Sequence, residues 1–202
     1  EIVHSDITKM RVDAIVNPTD SRFSGSGGTD YAIHKAAGPL LRQACRSLGT
    51  LRQSEVMVTD GYDLPCRYVF YTMGPVWIGG KKNEAVLLRM CYLNALLKAG
   101  EMGLSSIAFP LISSGTFGFP KDQVLSLAAA AIRDYLTVTD GELQVFLCVY
   151  NKTAYKISQR IELERFLGIA EEMVKAVPAL ESRLCRRYAM REEPDFTCCE
   201  AL

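Results

Sequence analysis

Two kinds of apolar spacing alternate along the chain. Short runs rich in β-branched and aromatic residues occur at Val12–Val16, Glu55–Thr59, Tyr68–Thr72, Ser106–Pro110 and Leu143–Tyr150, and they predict strands. Between them, apolar residues recur at helical spacing. Ile33, Ala36, Ala37, Leu40, Leu41, Ala44, Cys45 and Leu48 share a face, with Gly38-Pro39 predicted to offset the axis midway. Val86, Leu87, Met90, Cys91, Asn94 and Leu97 follow, from a cap at Asn83 to Gly100. Val124, Leu127, Ala128, Ala131, Ile132 and Tyr135 form a full i, i+3, i+4, i+7 series behind Pro120, whose fixed φ suits a helix start. A further helix is expected from Thr153 to about Leu167.

This alternation predicts an α/β domain with a mostly parallel sheet and helices on both of its faces. Such sheets bind ligands in the crevice beyond the carboxyl ends of their strands. The places to look are therefore after Val16 and after Pro110. Composition shifts from Gly168 onward, which divides the chain into a domain over 1–167 and a helical extension with a polar tail over 168–202. Glu171–Tyr188 reads as an extra helix interrupted at Pro178. Arg183, Arg186, Arg187 and Arg191 share a helical face there, with Glu181, Glu192 and Glu193 interleaved. A solvated face is the favoured reading, and a surface that contacts another domain is the other.

Size and charge narrow the function classes. The 202 residues, 49% of them hydrophobic, suffice for one substantial core. Twenty-three basic residues balance 23 acidic ones, so duplex nucleic acid is not expected as the main partner. The seven cysteines are odd in number, sit mostly in apolar runs and include no C-x-x-C pair, so free buried thiols are expected rather than disulfides or zinc. Cys198-Cys199 reads as tail before metal ligand. With no signal peptide and no membrane-spanning run, a cytosolic or nuclear setting without membrane contact is expected. The chain opens at Glu1 rather than Met, as a piece of something longer would.

Two loops carry the candidate chemistry. The first, Asn17–Asp30, holds Gly25, Gly27 and Gly28 just before a helix. Glycines let backbone N–H groups approach an anion, and a helix start adds unpaired N–H groups and a favourable dipole. Neither G-x-G-x-x-G nor a Walker loop is present, since Asp30 stands at the last glycine position and no Gly-Lys-Ser/Thr follows. An ordinary turn with Thr29 as helix cap is the competing reading. The second loop runs Phe109–Pro120 and contains Ser113, Ser114, Gly115, Thr116, Phe117, Gly118 and Phe119. Its hydroxyls and the N–H groups of Ser114 to Phe117 can donate to phosphate, while an aromatic ring can cover a sugar or base. The competing reading, a hydrophobic staple to the next helix, fits Phe119 better than Phe117.

With these motifs in place the chain resembles a macrodomain. The resemblance rests on Ser5-Asp6-Ile7-Thr8, Val12–Asn17, the glycine loop closing on Thr29–Gly38, Gly61–Pro65, Met73-Gly74-Pro75 and Ile107–Pro120, and it covers about Glu1–Leu167. Its nearest flavour is the MacroD-type branch, which removes ADP-ribose from acidic residues of proteins and deacetylates O-acetyl-ADP-ribose. The resemblance implies a three-layer α/β/α fold with a mixed, mostly parallel central sheet. It implies ADP-ribose or ADP-ribosylated protein as ligand, with neither metal nor other cofactor. Asp6 would receive the adenine amino group beside Ile7, and Tyr150 would stack on the base, unless it packs on Ile157 instead. Gly27, Gly28 and Thr29 would face Ser113, Ser114, Gly115, Thr116 and Phe117 across the diphosphate. Asp30 would orient a water at the anomeric carbon, with His34 one helical turn away. The family's paired asparagines fall on Asn17 and on position 20, where this chain has Asp20, which can only accept when ionised. Ser5 and Tyr71 are smaller departures, where the family has glycine and often histidine. Asp30 points to a hydrolase, with Asn17 and Asp20 in its catalytic set; Asp20 points to a reader that binds without turnover.

Overall fold

The computed structural model describes residues 1–139, 142–152, 155 and 156. They belong to one compact unit, Glu1–Ser158. Its strands are β1 (Ile2–Val3), β2 (Ala14–Pro18), β3 (Val56–Asp60), β4 (Tyr68–Thr72), β5 (Ser106–Phe109) and β6 (Gln144–Cys148). Among the described residues there are four α-helices, α1 (Gly28–Ala37), α2 (Pro39–Ser47), α3 (Glu84–Glu101) and α4 (Lys121–Val138), and a 3-10 turn at Ile7–Lys9. The strands form one sheet in the order β1-β6-β5-β2-β4-β3. Only β3 runs antiparallel to its neighbour. The sheet is therefore mixed and mostly parallel, as expected.

Strand alternation sends successive residues to opposite faces. Ile15, Val69, Tyr71, Ala108 and Cys148 join Ile33, Ala37, Leu41 and Cys45 of α1 and α2 in one apolar cluster. Phe109, one residue on from Ala108, faces the other way and meets the ring of Tyr92 on α3 at 5.3 Å. Helices thus cover both faces, α1 with α2 and α3 with α4. None of the described helices is long and apolar enough to cross a membrane.

Parallel pairing fixes where the site can be. Val3 lies opposite Cys148, Phe109 opposite Leu147, and Ile15 opposite Ala108. The chain therefore leaves β1, β6, β5 and β2 along one edge of the sheet, and the segments after Val3, Cys148, Phe109 and Pro18 stand side by side there.

Several expectations are corrected. The strand expected at Val12–Val16 runs to Pro18, because Asn17 and Pro18 continue the ladder opposite Tyr71 and Thr72. The two-residue β1 escaped notice, being too short to show a period. The Val86, Met90 and Leu97 positions of α3 are exposed, whereas Leu88, Cys91, Tyr92, Ala95, Leu96 and Ala99 are buried. This helix is apolar on most sides, so its own period does not single out a face. Tyr92 sets the rotation by donating its hydroxyl to the Pro110 carbonyl and accepting from the Ile112 N–H, both at 3.1 Å. Asn83 precedes α3 without a capping side-chain bond. Cys45, Cys66, Cys91 and Cys148 are free and buried as expected. Cys185, Cys198, Cys199, the boundary at 167/168, Glu171–Tyr188 and nearly all of the helix expected from Thr153 lie outside the described residues.

Candidate functional site

Asp30, in the first turn of α1, organises the first loop from within. It is only 6% exposed. Its Oδ1 accepts from Asn17 Nδ2 at 2.8 Å, and its Oδ2 accepts from Thr19 Oγ1 at 2.8 Å and from the Gly25 N–H at 3.0 Å. The His34 ring, one turn on, brings Nε2 to 3.4 Å from Oδ1 without a hydrogen bond. Gly25 has φ +64, which favours glycine, and a Cβ there would crowd that ring at 3.1 Å. The loop is consequently a braced turn. The Thr29 cap is not found: α1 begins at Gly28 with Gly27 before it and no side-chain cap. The N–H groups of Gly28, Thr29 and Asp30 have no acceptor among the described residues. They form the open positive end of α1.

The second loop turns tightly after Leu111. Ser113 takes φ +64, and its buried Oγ has no partner among the described residues. The Ser114 N–H and Oγ both donate to the Leu111 carbonyl, at 3.3 and 2.8 Å. The expected donors at Ser114 are thus already engaged within the turn. Gly118 N–H reaches Gly115 O at 2.9 Å and Phe119 N–H reaches Ser113 O at 3.0 Å. Gly115, Thr116 and Phe117 keep three successive N–H groups unpaired among the described residues. Phe119 is 1% exposed and packs on Trp77 with ring centroids 4.5 Å apart, which settles it as a core residue.

Two cavities open between these loops. The larger, about 590 Å³, is lined by Asp6, Ile7, Cys148 and Tyr150 together with Lys121. The smaller, about 340 Å³, is lined by Asp20, Asp30, Gly74 and Phe117. Gly28, Thr29, Leu111, Ser114 and Gly115 line both, so the two join into one cleft across the two rows of open N–H groups. Its middle suits a doubly anionic group, and its larger end combines an acceptor with an aromatic ring.

A model of the Macro domain family matches residues 16–128. The chain belongs to the macrodomain family. A macro domain-containing protein of Methanosarcina mazei is 43% identical over 155 residues, which is 77% of this chain and 83% of that one. A relative from Citrobacter rodentium, named O-acetyl-ADP-ribose deacetylase, is 39% identical over 164 residues, covering 79% and 93% of the two chains. The macrodomain of Oceanobacillus iheyensis, solved with ADP, superposes with a TM-score of 0.77 at 35% identity over 83% of this chain and 90% of its own. A variant of it solved with ADPR gives a TM-score of 0.78, with 83% and 92% covered.

Every ligand or catalytic residue expected in this macrodomain lines the cleft except Asn17. Asn17 is fully buried behind Asp30, with its Oδ1 unpaired among the described residues. Asp6 accepts the Thr8 N–H at 3.0 Å and the Thr8 hydroxyl at 2.8 Å, both on Oδ1. Among the described residues nothing engages its Oδ2. Tyr150 is 77% exposed, so its ring stands clear at the rim. Ile157, the alternative packing partner, lies outside the described residues.

Asp20 lines the smaller cavity but is occupied with its own loop. Its carboxylate accepts from the Arg22 N–H at 2.8 Å, the Ser24 N–H at 3.3 Å and the Ser24 hydroxyl. Burial raises its pKa, yet the Ser24 hydroxyl and the two amides outweigh this and hold it below the usual value. The Cys148 thiol is pushed up to about 12, by burial first and then by nearby Asp6, so it lines the cavity as an inert apolar group. Thr19 and Lys121 were missed by sequence reasoning. Thr19 has an ordinary loop context, and Lys121 follows Pro120 as one more polar residue at a helix start.

Proposed function

We propose that this macrodomain binds ADP-ribose across the cleft and hydrolyses its esters, either an ADP-ribosylated acidic side chain or O-acetyl-ADP-ribose. The carrying observation is the row of unpaired N–H groups from Gly28–Asp30 facing the second row at Gly115–Phe117. Two preorganised amide rows neutralise a diphosphate without a metal, at a helix start whose dipole adds to them. Adenine then occupies the larger end. Asp6 accepts from its N6 amino group, which discriminates against the O6 acceptor of guanine, and Tyr150 stacks on its face. The distal ribose lies in the smaller end under Phe117, beside Asp20 and Asp30.

Asp30 is the group that acts on water. A carboxylate offers about four lone-pair sites. Three are taken by Asn17, Thr19 and Gly25, which leaves one on Oδ1 for a water. For an acidic-residue ester the water oxygen bonds to the anomeric carbon as the bond from that carbon to the carboxylate oxygen breaks; for O-acetyl-ADP-ribose it bonds to the acyl carbon as the bond to the ribose oxygen breaks. One water proton passes to the departing oxygen, and ADP-ribose and the free acid are the products. The names of the Citrobacter rodentium relative and of the Oceanobacillus iheyensis complexes support the ligand class.

A reader that binds without turnover is the second reading, favoured by the heavy engagement of Asp30 as a loop brace and by the charge of Asp20. Asp30→Asn separates the two. The Asn17 amide can turn its unpaired Oδ1 toward the new amide, so the brace survives. A hydrolase releases ADP-ribose from a glutamate-linked substrate, and the variant loses about 100-fold in kcat while binding ADP-ribose within about 3-fold. A parent that binds ADP-ribose but releases nothing from either ester is a reader.

A further inference from the structure

Between β4 and α3 the chain forms a short arm, Pro75–Asn83, that none of the cleft chemistry uses. Trp77 is turned inward onto Phe119, and its backbone N–H donates to the Phe117 carbonyl at 2.8 Å. Glu84, 2% exposed at the start of α3, gathers the rest. Its Oε1 accepts from the Ile78 and Gly80 N–H groups at 3.2 and 3.0 Å, and its Oε2 from the Lys82 N–H at 2.6 Å. Gly80, at φ +77, closes over the Trp77 ring, where a Cβ would stand 3.0 Å from Cη2. The arm is thus pinned at both ends, to the second loop and to α3.

What this pinning presents outward is apolar and basic. Val76 and Ile78, on either side of the inward Trp77, are 53% and 52% exposed. Lys81 and Lys82 are exposed and form no ion pair among the described residues. Preorganising a loop around exposed aliphatic side chains serves solubility poorly and serves recognition well. Its location matters equally. Gly74, two residues before Val76, and Phe117, bonded to Trp77, both line the smaller cavity.

We propose that the Val76–Lys82 arm is the docking surface for the polypeptide that carries the ADP-ribosyl ester. The inference rests on the proposed binding mode, in which the ester emerges from the smaller cavity. A polypeptide modified on an acidic residue reaches the protein surface there. Val76 and Ile78 offer it apolar contact, and the two lysines attract further carboxylates around the modified one. A small acyl ester such as O-acetyl-ADP-ribose ends inside the cavity and does not reach the arm.

The test compares two substrates on three proteins. The proteins are the parent, Val76→Ser with Ile78→Ser, and Lys81→Glu with Lys82→Glu. The substrates are a glutamate-linked mono-ADP-ribosylated protein and O-acetyl-ADP-ribose. Both double variants are expected to raise KM for the modified protein at least 5-fold and to leave kinetics on O-acetyl-ADP-ribose and calorimetric ADP-ribose affinity within 2-fold. The lysine variant should also lose the parent's salt dependence of kcat/KM for the protein substrate. Unchanged protein kinetics overturn the docking surface, as does an equal loss on both substrates, which would mean that the arm only shapes the cavity. Failure of the parent on both substrates sinks the hydrolase reading instead.

Discussion

Asn17 Nδ2 donates to Asp30 Oδ1 at 2.8 Å from a position with no solvent exposure. The asparagine therefore supports the carboxylate at the cleft and stands behind it. Asn17→Ala removes one of three donors and leaves a small void in the sheet. It is expected to destabilise the fold by about 1–3 kcal/mol, the usual cost of unpairing a buried group. Thermal melting measures that loss. ADP-ribose affinity should fall less than turnover, because the amide rows persist while the carboxylate loses its fixed orientation.

His34 offers a pH test of the same cluster. Burial depresses its pKa below 6.5, opposed by Asp30, helped by Arg42 and opposed again by Asp20. A group depressed in the folded state is protonated first in the unfolded chain. Its contribution is intact above about pH 6.5 and is lost as pH falls toward the folded value. The parent should therefore lose stability over that interval, whereas His34→Gln should show a flatter profile. Denaturant midpoints between pH 8 and 5 measure the difference, and parallel profiles would contradict it.

Much of this organisation is legible in the sequence, for physical reasons that differ by region. The glycine loop and the Ile107–Pro120 run stand out because anion-binding backbones need small residues before a helix. The strands of β4 and β5 stand out because burial on both faces demands continuous apolar runs. What escaped was set by distant partners. The face of α3 depends on Tyr92 reaching Pro110 and Ile112, and no local period records that. Asn17 sits in a turn-like Asn-Pro pair, yet parallel pairing with β4 carries the strand through it. Ser114 reads as a phosphate donor, and only the tightness of its turn shows that Leu111 takes both of its donors.

Asp20 places a charge in the smaller cavity that serves its own loop. Its depressed pKa keeps it ionised near neutrality. Asp20→Asn retains an oxygen for the Arg22 and Ser24 amides and removes that charge from the neighbourhood of a diphosphate. ADP-ribose should bind about 2–5-fold more tightly at low salt, with the gain shrinking as salt screens it. Calorimetry at two ionic strengths checks both parts. Equal affinity at both would mean that the Asp20 charge is not felt at the phosphates.

Gly27 is extended, so any residue can adopt its backbone, and a Cβ added there meets no protein atom within 4 Å. A valine would leave the fold untouched and fill the space where the diphosphate belongs. Titrating the parent and Gly27→Val with ADP-ribose in a calorimeter is therefore the most direct measurement. The expected result is one saturable site per chain for the parent and at least a 10-fold loss of affinity for the variant, with the same melting temperature. No heat from the parent, or equal affinity in both proteins, would contradict a diphosphate held between the two amide rows.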